Sequence, residues 1–260
     1  MTNASALRRE IEHALEHRFP AALTPAQKTI HETYATGIAA VDALLEGGLP
    51  VGAISEVTGP ECSGRTSLAL SLVAGRTHGG QVCAWVDAED ALDPESAAAC
   101  GVSLRQLLWV RCRRVAGTGK VTAKARMGHV DQALRATDLL LAAGGFAAIV
   151  LDLGGTAVED ARRIPLATWF RFRQAADRAR SCVVVLGRAS YAQSSAAAVL
   201  KCAPLRAQTA GGTVLRGFEY SVARERQRFV PGAAGGRKPP ASTWNAPWSA
   251  TGAWVRGERG

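Results

Sequence analysis

The chain has 260 residues, 47% of them hydrophobic, and a formal net charge of +9. This composition is typical of a folded globular protein with a sizeable core and excludes a disordered or fibrous chain. The positive charge predicts an anionic partner, such as a nucleic acid, a nucleotide or a membrane surface. Six cysteines without a C-x-x-C pair predict reduced thiols and a cytoplasmic location, and we expect neither a signal peptide nor a membrane-spanning segment.

The N-terminal residues 5–18 are predicted to form a short amphipathic helix. Leu7, Ile11 and Leu15 recur at the spacing of one helical face, and Pro20 ends the pattern. A linker is expected to connect this helix to the rest of the chain.

Residues 59–67 have the frame of a phosphate-binding P-loop, G-x-x-x-x-G-K-[ST], with an arginine in place of the lysine. One apolar run precedes this segment and another follows it, which is the strand–loop–helix context that the motif needs. The expected nucleotide-binding residues are Gly59, Pro60, Glu61, Cys62, Ser63, Gly64, Arg65, Thr66 and Ser67. The alternative is a Gly/Ser turn that binds nothing.

Two residues of this loop set its expected chemistry. The hydroxyl of Thr66 would be offered to Mg²⁺, because a P-loop Ser or Thr is a magnesium ligand. Arg65 keeps the positive charge of the lysine, but a guanidinium is a wide planar fork rather than a compact ammonium. The substitution therefore predicts a nucleotide site that is weak or idle.

Beyond the P-loop, apolar strands alternate with helices. Strands are predicted at 82–86, 107–110, 146–151 and 182–186, and helices at 95–100, 130–143 and 169–180. Such alternation is typical of an α/β fold with a mainly parallel sheet and helices on both faces. A further helix is expected at 196–202, and strands near 205–207 and 219–223 are expected to extend the sheet in antiparallel fashion.

The segment 111–128 interrupts this rhythm with basic residues and no acidic ones. Its cations are Arg111, Arg113, Arg114, Lys120, Lys124 and Arg126. It follows a strand and precedes a helix, which predicts a flexible loop at the carboxyl edge of the sheet, where open α/β folds bind ligands. The cations would neutralise phosphates of DNA. The alternative is a solvated charged loop.

Two of the apolar strands end in carboxylates. Asp87 and Glu89 follow one strand, and a carboxylate in this position can act as the general base for hydrolysis of the γ-phosphate. Asp152 ends a second strand in the Walker B form, in which an aspartate supports Mg²⁺. The alternative role of these carboxylates is hydrogen bonding at strand ends.

The C-terminal segment 231–260 changes character, because it is rich in glycine, proline and serine and contains Trp244, Trp248 and Trp254. It is not expected to form a compact element. Its tryptophans are expected either to cover the body of the domain or to form a docking peptide. The predicted organisation is an N-terminal helix and linker, a core and a tail, at 1–35, 36–230 and 231–260.

Taken together, these motifs resemble the ATPase core of the RecA family. The segments that carry the resemblance are T-G at 36–37, G-G-L-P-V-G at 47–52, G-P-E-C-S-G-R-T-S at 59–67 and V-D-A-E-D-A-L-D-P at 86–94. The resemblance implies a RecA-like P-loop core with ATP and Mg²⁺ as cofactors. It also implies that Glu89 polarises the attacking water, that Asp93 lies near the adenine, and that Asp152 and Thr66 hold the metal.

The chain also departs from the RecA pattern. Besides Arg65, Ser96 replaces an adenine-stacking tyrosine, and Gly187 and Arg188 replace an Asn-Gln pair that senses the γ-phosphate. The segments after Asp152 and between residues 191 and 198 are too short for the usual DNA-binding loops. These departures resemble the ImuA branch, whose members are RecA-cored accessory proteins of damage-induced (SOS) translesion synthesis and DNA repair.

The ImuA resemblance implies an interaction protein that is at most a weak ATPase and is not an active recombinase. Its implied partners are an ImuB-like relative of the Y-family polymerases, an error-prone polymerase and RecA, with single-stranded DNA as a further candidate. Two alternatives stay open. One is a DNA-dependent ATPase or recombinase of RecA type, and the other is a RecA-fold regulator such as a cell-division or signalling ATPase.

Overall fold

The computed structural model describes residues 28–30, 32–112, 123–210, 214–231 and 245–251. The helix predicted at 5–18 lies outside these residues, as do Arg113, Arg114 and Lys120 of the basic segment. Within the described ranges, no helix combines the length and the apolar character that a membrane crossing requires.

The described elements alternate as expected through the middle of the chain. The strands are β1 (Lys28–Ile30), β2 (Thr33–Tyr34), β3 (Leu49–Pro50), β4 (Ala53–Thr58), β5 (Cys83–Asp87), β6 (Leu107–Arg111), β7 (Ala148–Asp152), β8 (Cys182–Gly187), β9 (Ala196–Ala210), β10 (Val214–Gln227), β11 (Phe229–Pro231) and β12 (Asn245–Thr251). The helices are α1 (Ala39–Leu44), α2 (Arg65–His78), α3 (Pro94–Ala99), α4 (Ala123–Ala143), α5 (Val158–Ala161) and α6 (Leu166–Ala179).

The central sheet has eight strands in the order β12-β10-β9-β4-β8-β7-β5-β6. The six strands from β9 to β6 are parallel to one another, whereas β10 is antiparallel to both β9 and β12. The prediction of a mainly parallel α/β sheet with an antiparallel extension is therefore confirmed. Small two-stranded sheets pair β1 with β11 and β2 with β3.

Helices cover both faces of this sheet, which explains the continuous apolar runs of its central strands. Along β7, Val150 points to the face covered by α1, α2 and α3, while Ile149 and Leu151 point to the face covered by α4, α5 and α6. The second face is filled by the largest side chains of α6, Trp169 and Phe172, whose rings meet edge to face. Because the six strands from β9 to β6 are parallel, their carboxyl ends lie at the same edge of the sheet. The polar residues that end these strands collect at this edge.

The helix predicted at 196–202 is wrong, because this segment is the first part of strand β9. Its run of alanines has a high helix propensity. In the fold, however, the segment pairs with β4 on one side and β10 on the other, and Ala198, Leu200 and Cys202 are fully buried. Burial between two strands overrides the local preference.

Both ends of the basic segment belong to regular elements, whereas a loop was predicted for the whole segment. Arg111 is the last residue of β6, and α4 begins at Ala123, so Lys124 and Arg126 belong to a helix rather than to a loop. The sequence A-K-A-R-M at 123–127 consists of strong helix formers, which extend α4 seven residues before its predicted start.

Part of the C-terminal segment forms a regular element, contrary to expectation. Residues 245–251 form strand β12, which pairs with β10 and places Trp248 in the core at 8% exposure. The ring of Trp248 lies 4.8 Å from that of Tyr220. Trp248 therefore covers the body of the domain, which was one of the two predicted alternatives. Trp244 and Trp254 lie outside the described residues.

Candidate nucleotide site

The P-loop connects the carboxyl end of β4 to α2 and is shaped by two glycines. Gly59 and Gly64 have φ angles of +150° and +86°, a region that favours glycine. A Cβ atom at Gly59 would lie 2.3 Å from the carbonyl oxygen of Cys202, and one at Gly64 would lie 2.8 Å from the ring of Trp248. The loop therefore lies tightly against β9 and β12.

Helix α2 presents its N-terminus to this loop. Its N-cap is Gly64, which has no side chain to satisfy the first backbone N–H groups of the helix. Thr66 is exposed on the first turn, while Ser63 is buried. A helix of 14 residues with free N–H groups at its start favours an anionic ligand.

Arg65 does not extend into solvent but is 8% exposed, with its guanidinium against Gly154. A Cβ atom at Gly154 would lie 3.5 Å from Nη2 of Arg65 and 3.0 Å from Oδ1 of Asp152. Burial lowers the pKa of Arg65, and the negative charge of Asp152 opposes this shift. Among the described residues, Nη1 of Arg65 is buried and has no hydrogen-bond partner.

Asp152 ends β7 beside the end of β5, where it is in register with Asp87. Burial raises the pKa of Asp152 to about 6, although the hydrogen bond from the N–H of Gly154, at 2.8 Å, lowers it. Asp87 adds a further negative charge that raises this pKa, and Arg65 lowers it. The two strand-end carboxylates therefore lie on adjacent strands, a pairing that the sequence did not predict.

Glu89 follows β5 and is held by two residues that sequence patterns did not single out. Its Oε1 accepts a hydrogen bond from the hydroxyl of Thr156 at 3.1 Å and lies 2.8 Å from Nε2 of His129. Because a carboxylate accepts only, this contact assigns a proton to Nε2. His129 and Thr156 are 3% and 2% exposed. One oxygen of Glu89, the predicted general base, is therefore contacted by two buried hydrogen-bond donors.

Asp93 has a structural role in the described fold. It is the N-cap of α3 and accepts hydrogen bonds from both the backbone N–H, at 2.9 Å, and the hydroxyl of Ser96. The bond from the Ser96 hydroxyl, followed by that from its N–H, lowers the pKa of Asp93. The residue that replaces the adenine-stacking tyrosine thus completes a helix cap.

Arg188, which follows β8, joins the P-loop to the connection after β7. Its Nη2 donates a hydrogen bond to Oε1 of Glu61, and its Nε donates to the carbonyl oxygen of Gly154 at 3.4 Å. Arg188 also lowers the pKa of Arg65, because the two positive charges repel each other. Two guanidiniums therefore flank the same glycine at the mouth of the P-loop.

Glu56 lies in the middle of β4 and fixes the connection that follows Arg188. It is 1% exposed and accepts hydrogen bonds from the N–H groups of Tyr191 and Ala192 and from the hydroxyl of Ser190. A buried carboxylate within an apolar strand requires hydrogen-bond donors. The position of Glu56 within an apolar run was therefore a sequence signal that could have identified it. The connection between β8 and β9 is thereby held short and tight.

The predicted cofactors fit this site unequally. The helix N-terminus and the unpartnered Nη1 of Arg65 suit the oxygens of a polyphosphate. Thr66 and Asp152 stay predictions as magnesium ligands, and the positive charge of Arg65 already lies beside Asp152, where it would repel a divalent cation. In the described ranges, no group of three or more His, Cys, Asp or Glu residues is arranged to hold a metal ion.

One predicted DNA-binding cation is engaged within the protein. The guanidinium of Arg111 makes two hydrogen bonds to Asp90, at 2.5 and 2.7 Å, and lies 4.7 Å from the ring centre of Trp109. Lys124 and Arg126 lie on the first turn of α4. Arg113, Arg114 and Lys120 lie outside the described residues, so DNA binding by this set of cations stays a prediction.

Known proteins match part of this chain. The RecA N-terminal domain family matches residues 5–160, more than half of the chain. "Protein RecA" of Colwellia psychrerythraea is 40% identical over 122 residues, which cover 46% of this chain and 31% of that protein. The RecA of Allorhizobium ampelinum is 43% identical over 122 residues, covering 46% of this chain and 30% of that protein. The RecA of Crocosphaera subtropica is 51% identical over 77 residues, covering 30% and 22%.

The family match at residues 5–160 includes the P-loop strand, the P-loop and the two carboxylate-bearing strands described above. The matched part of the chain spans less than a third of the length of each of these RecA proteins. The parallel sheet and the geometry of the P-loop are consistent with this family match. The chain belongs to the RecA family, through its RecA N-terminal domain.

Proposed function

We propose that this protein is a RecA-like accessory protein of damage-induced translesion DNA synthesis and DNA repair, similar to ImuA, with a weak nucleotide site. The observation that carries the proposal is the short connection between β8 and β9. Its backbone is held by Glu56 through the N–H groups of Tyr191 and Ala192. A loop fixed in this way against a buried carboxylate is a poor element for wrapping single-stranded DNA during strand exchange.

The state of Glu89 supports slow hydrolysis of ATP. A general base must offer a free lone pair to the attacking water. Oε1 of Glu89 instead accepts a hydrogen bond from Thr156, in the connection after β7, and contacts Nε2 of His129 on α4. Water therefore competes with two preorganised donors, so turnover is expected to be slow even when ATP is bound.

The proposed partners are an ImuB-like relative of the Y-family polymerases, an error-prone polymerase, RecA and single-stranded DNA. The net charge of +9 supports an acidic or nucleic-acid partner. The cations at 111–128 would contribute to such binding through phosphate contacts.

A DNA-dependent ATPase or recombinase of RecA type is the second candidate. One observation favours it: Asp87 and Asp152 end adjacent strands in register, and Glu89 follows the first of them. These carboxylates stand at the same edge of the sheet as the P-loop, as hydrolysis of the γ-phosphate requires.

ATP turnover distinguishes the two candidates. Purified protein is assayed with and without single-stranded DNA, beside a Glu89→Gln variant. The accessory role predicts turnover close to that of the variant and no stimulation by DNA. DNA-stimulated turnover that disappears in Glu89→Gln would instead establish the motor or recombinase.

The biological role is tested by deleting the gene in its native host. We expect damage-induced mutation to fall while homologous recombination is retained. A complementing copy in which Arg113, Arg114 and Lys124 are changed to glutamate tests whether DNA contacts are needed. Loss of recombination, or unchanged mutation, would contradict the accessory role.

A further inference from the structure

The positive charge beside the Walker B position comes from the protein itself. Nη2 of Arg65 and Oδ1 of Asp152 lie against the same atom position, the missing Cβ of Gly154. Arg65 lies on the first turn of α2 and Asp152 at the end of β7, so the two side chains come from different elements. In P-loop enzymes, a divalent cation usually provides the charge at this carboxylate.

Arg65 also has unused hydrogen-bonding capacity. It is 8% exposed, and within the described structure its Nη1 is buried without a partner. A buried guanidinium nitrogen left unpaired is unfavourable. The adjacent N-terminus of α2, capped by Gly64, has free N–H groups of its own. Both groups are hydrogen-bond donors that an anionic ligand would satisfy.

Arg188 brings a second guanidinium to the same place. It contacts the carbonyl oxygen of Gly154 and is paired with Glu61 of the P-loop. Its charge lowers the pKa of Arg65, so the two cations are close enough to repel. A polyphosphate between them would remove this repulsion.

We propose that this site binds ATP without a divalent cation, with Arg65 and Arg188 neutralising the phosphates in the place of Mg²⁺. Two guanidiniums carry the charge of one divalent ion and bind phosphate oxygens in a forked geometry. The inference rests on the proposed nucleotide site and specifies its chemistry. It also accounts for an arginine at the position of the P-loop lysine, because a lysine carries all its donors on one nitrogen, whereas the separate nitrogens of a guanidinium can face Asp152 and a phosphate at once.

Binding then requires Arg188 to exchange partners. The ion pair with Glu61 is exposed, with side chains 40% and 73% accessible, and exposed pairs are weak. A triphosphate carries more negative charge than one carboxylate, so Arg188 leaves Glu61 for the ligand. Glu61 is expected to become mobile in the nucleotide complex.

The test is a titration of a fluorescent ATP analogue in magnesium and in EDTA. For the wild-type protein, we expect affinities that agree within about twofold in the two buffers. Arg188→Gln should weaken binding about tenfold or more in both buffers, because it removes a charged hydrogen-bond donor. Arg173→Gln, which removes the same charge from an exposed site on α6, should leave the affinity unchanged.

The clearest test is a variant whose affinity for ATP becomes dependent on magnesium. In Arg65→Lys, the charge withdraws from Asp152, so binding should become about tenfold tighter in magnesium than in EDTA. Circular dichroism and thermal melting confirm that this buried variant folds, and the exposed Arg188→Gln variant provides a second test. Competition with inorganic triphosphate shows whether the phosphates alone are recognised.

The outcomes separate the inference from the proposed function. Wild-type binding that is lost in EDTA would overturn the metal-free site but leave a nucleotide site in place. If the analogue binds in neither buffer, the metal-free site and the proposed nucleotide site are both overturned. Binding that Arg173→Gln weakens as much as Arg188→Gln would show that net charge, rather than the two arginines, attracts the ligand.

Discussion

Replacing Gly64 by alanine tests the tight contact between the P-loop and the C-terminal strand. The backbone of Gly64 has φ +86°, and an added Cβ would lie 2.8 Å from Cζ2 of Trp248 and 2.8 Å from Cγ of Tyr220. Real Cβ atoms do not approach ring carbons so closely. The two rings are themselves in contact and buried, so neither can move freely.

Two physical effects add in this variant. A left-handed conformation costs alanine about 1–2 kcal/mol relative to glycine. Overpacking against a closed core costs about 1–3 kcal/mol. Gly64→Ala should therefore lower the free energy of unfolding by about 2–5 kcal/mol, a large part of the stability of an ordinary domain.

Urea unfolding followed by tryptophan fluorescence measures this change. Gly75→Ala is the matched control, because it lies on the same helix, is exposed, and its Cβ would meet no atom within 4 Å. The control should raise the unfolding free energy by about 0.5–1 kcal/mol, since glycine is unfavourable within a helix.

A double variant separates the two effects. Trp248→Ala removes one of the two rings that obstruct the new Cβ and gives the ring of Tyr220 room to move away. In this background Gly64→Ala should therefore cost less, by up to about 1–3 kcal/mol. The reasoning would be refuted if Gly64→Ala matched the wild-type stability, or if its cost were the same with and without Trp248.

Three further predictions concern other parts of the fold. Glu56→Gln should destabilise the protein by about 2–4 kcal/mol in urea unfolding, because an amide cannot accept all the hydrogen bonds made to the buried carboxylate. Cys62 and Cys100 are exposed, whereas Cys83, Cys112, Cys182 and Cys202 are buried, and burial raises the pKa of these four thiols and also that of Cys100. Ellman's reagent should therefore modify two thiols rapidly in the native protein, and bound ATP should protect the P-loop thiol Cys62; rapid modification of all six would contradict the described core. Deleting residues 232–260 should lower the melting temperature by several degrees, because it removes β12 and the buried Trp248; an unchanged melting temperature would show that β12 is dispensable.

The elements that the sequence predicted well are those with strong local signals. The strands β5, β7 and β8 are apolar runs buried on both faces, and their predicted bounds differ from the observed ones by no more than a few residues. The P-loop is likewise a local frame, in which the spacing of its glycines already implies the turn. The segment 196–202 failed for the opposite reason, since its alanines favour a helix and only pairing with β4 makes it a strand.

By itself, the sequence determined the α/β alternation, the P-loop frame and the carboxylates at the ends of β5 and β7, because each is specified by residues close together in the chain. The tertiary structure alone decided which side chains meet. Glu89 contacts His129 from 40 residues away, Arg188 reaches Glu61 across 127, and Tyr191 donates to Glu56 across 135. Such contacts leave no periodic trace in the sequence, because they depend on the order of strands in the sheet rather than on local spacing.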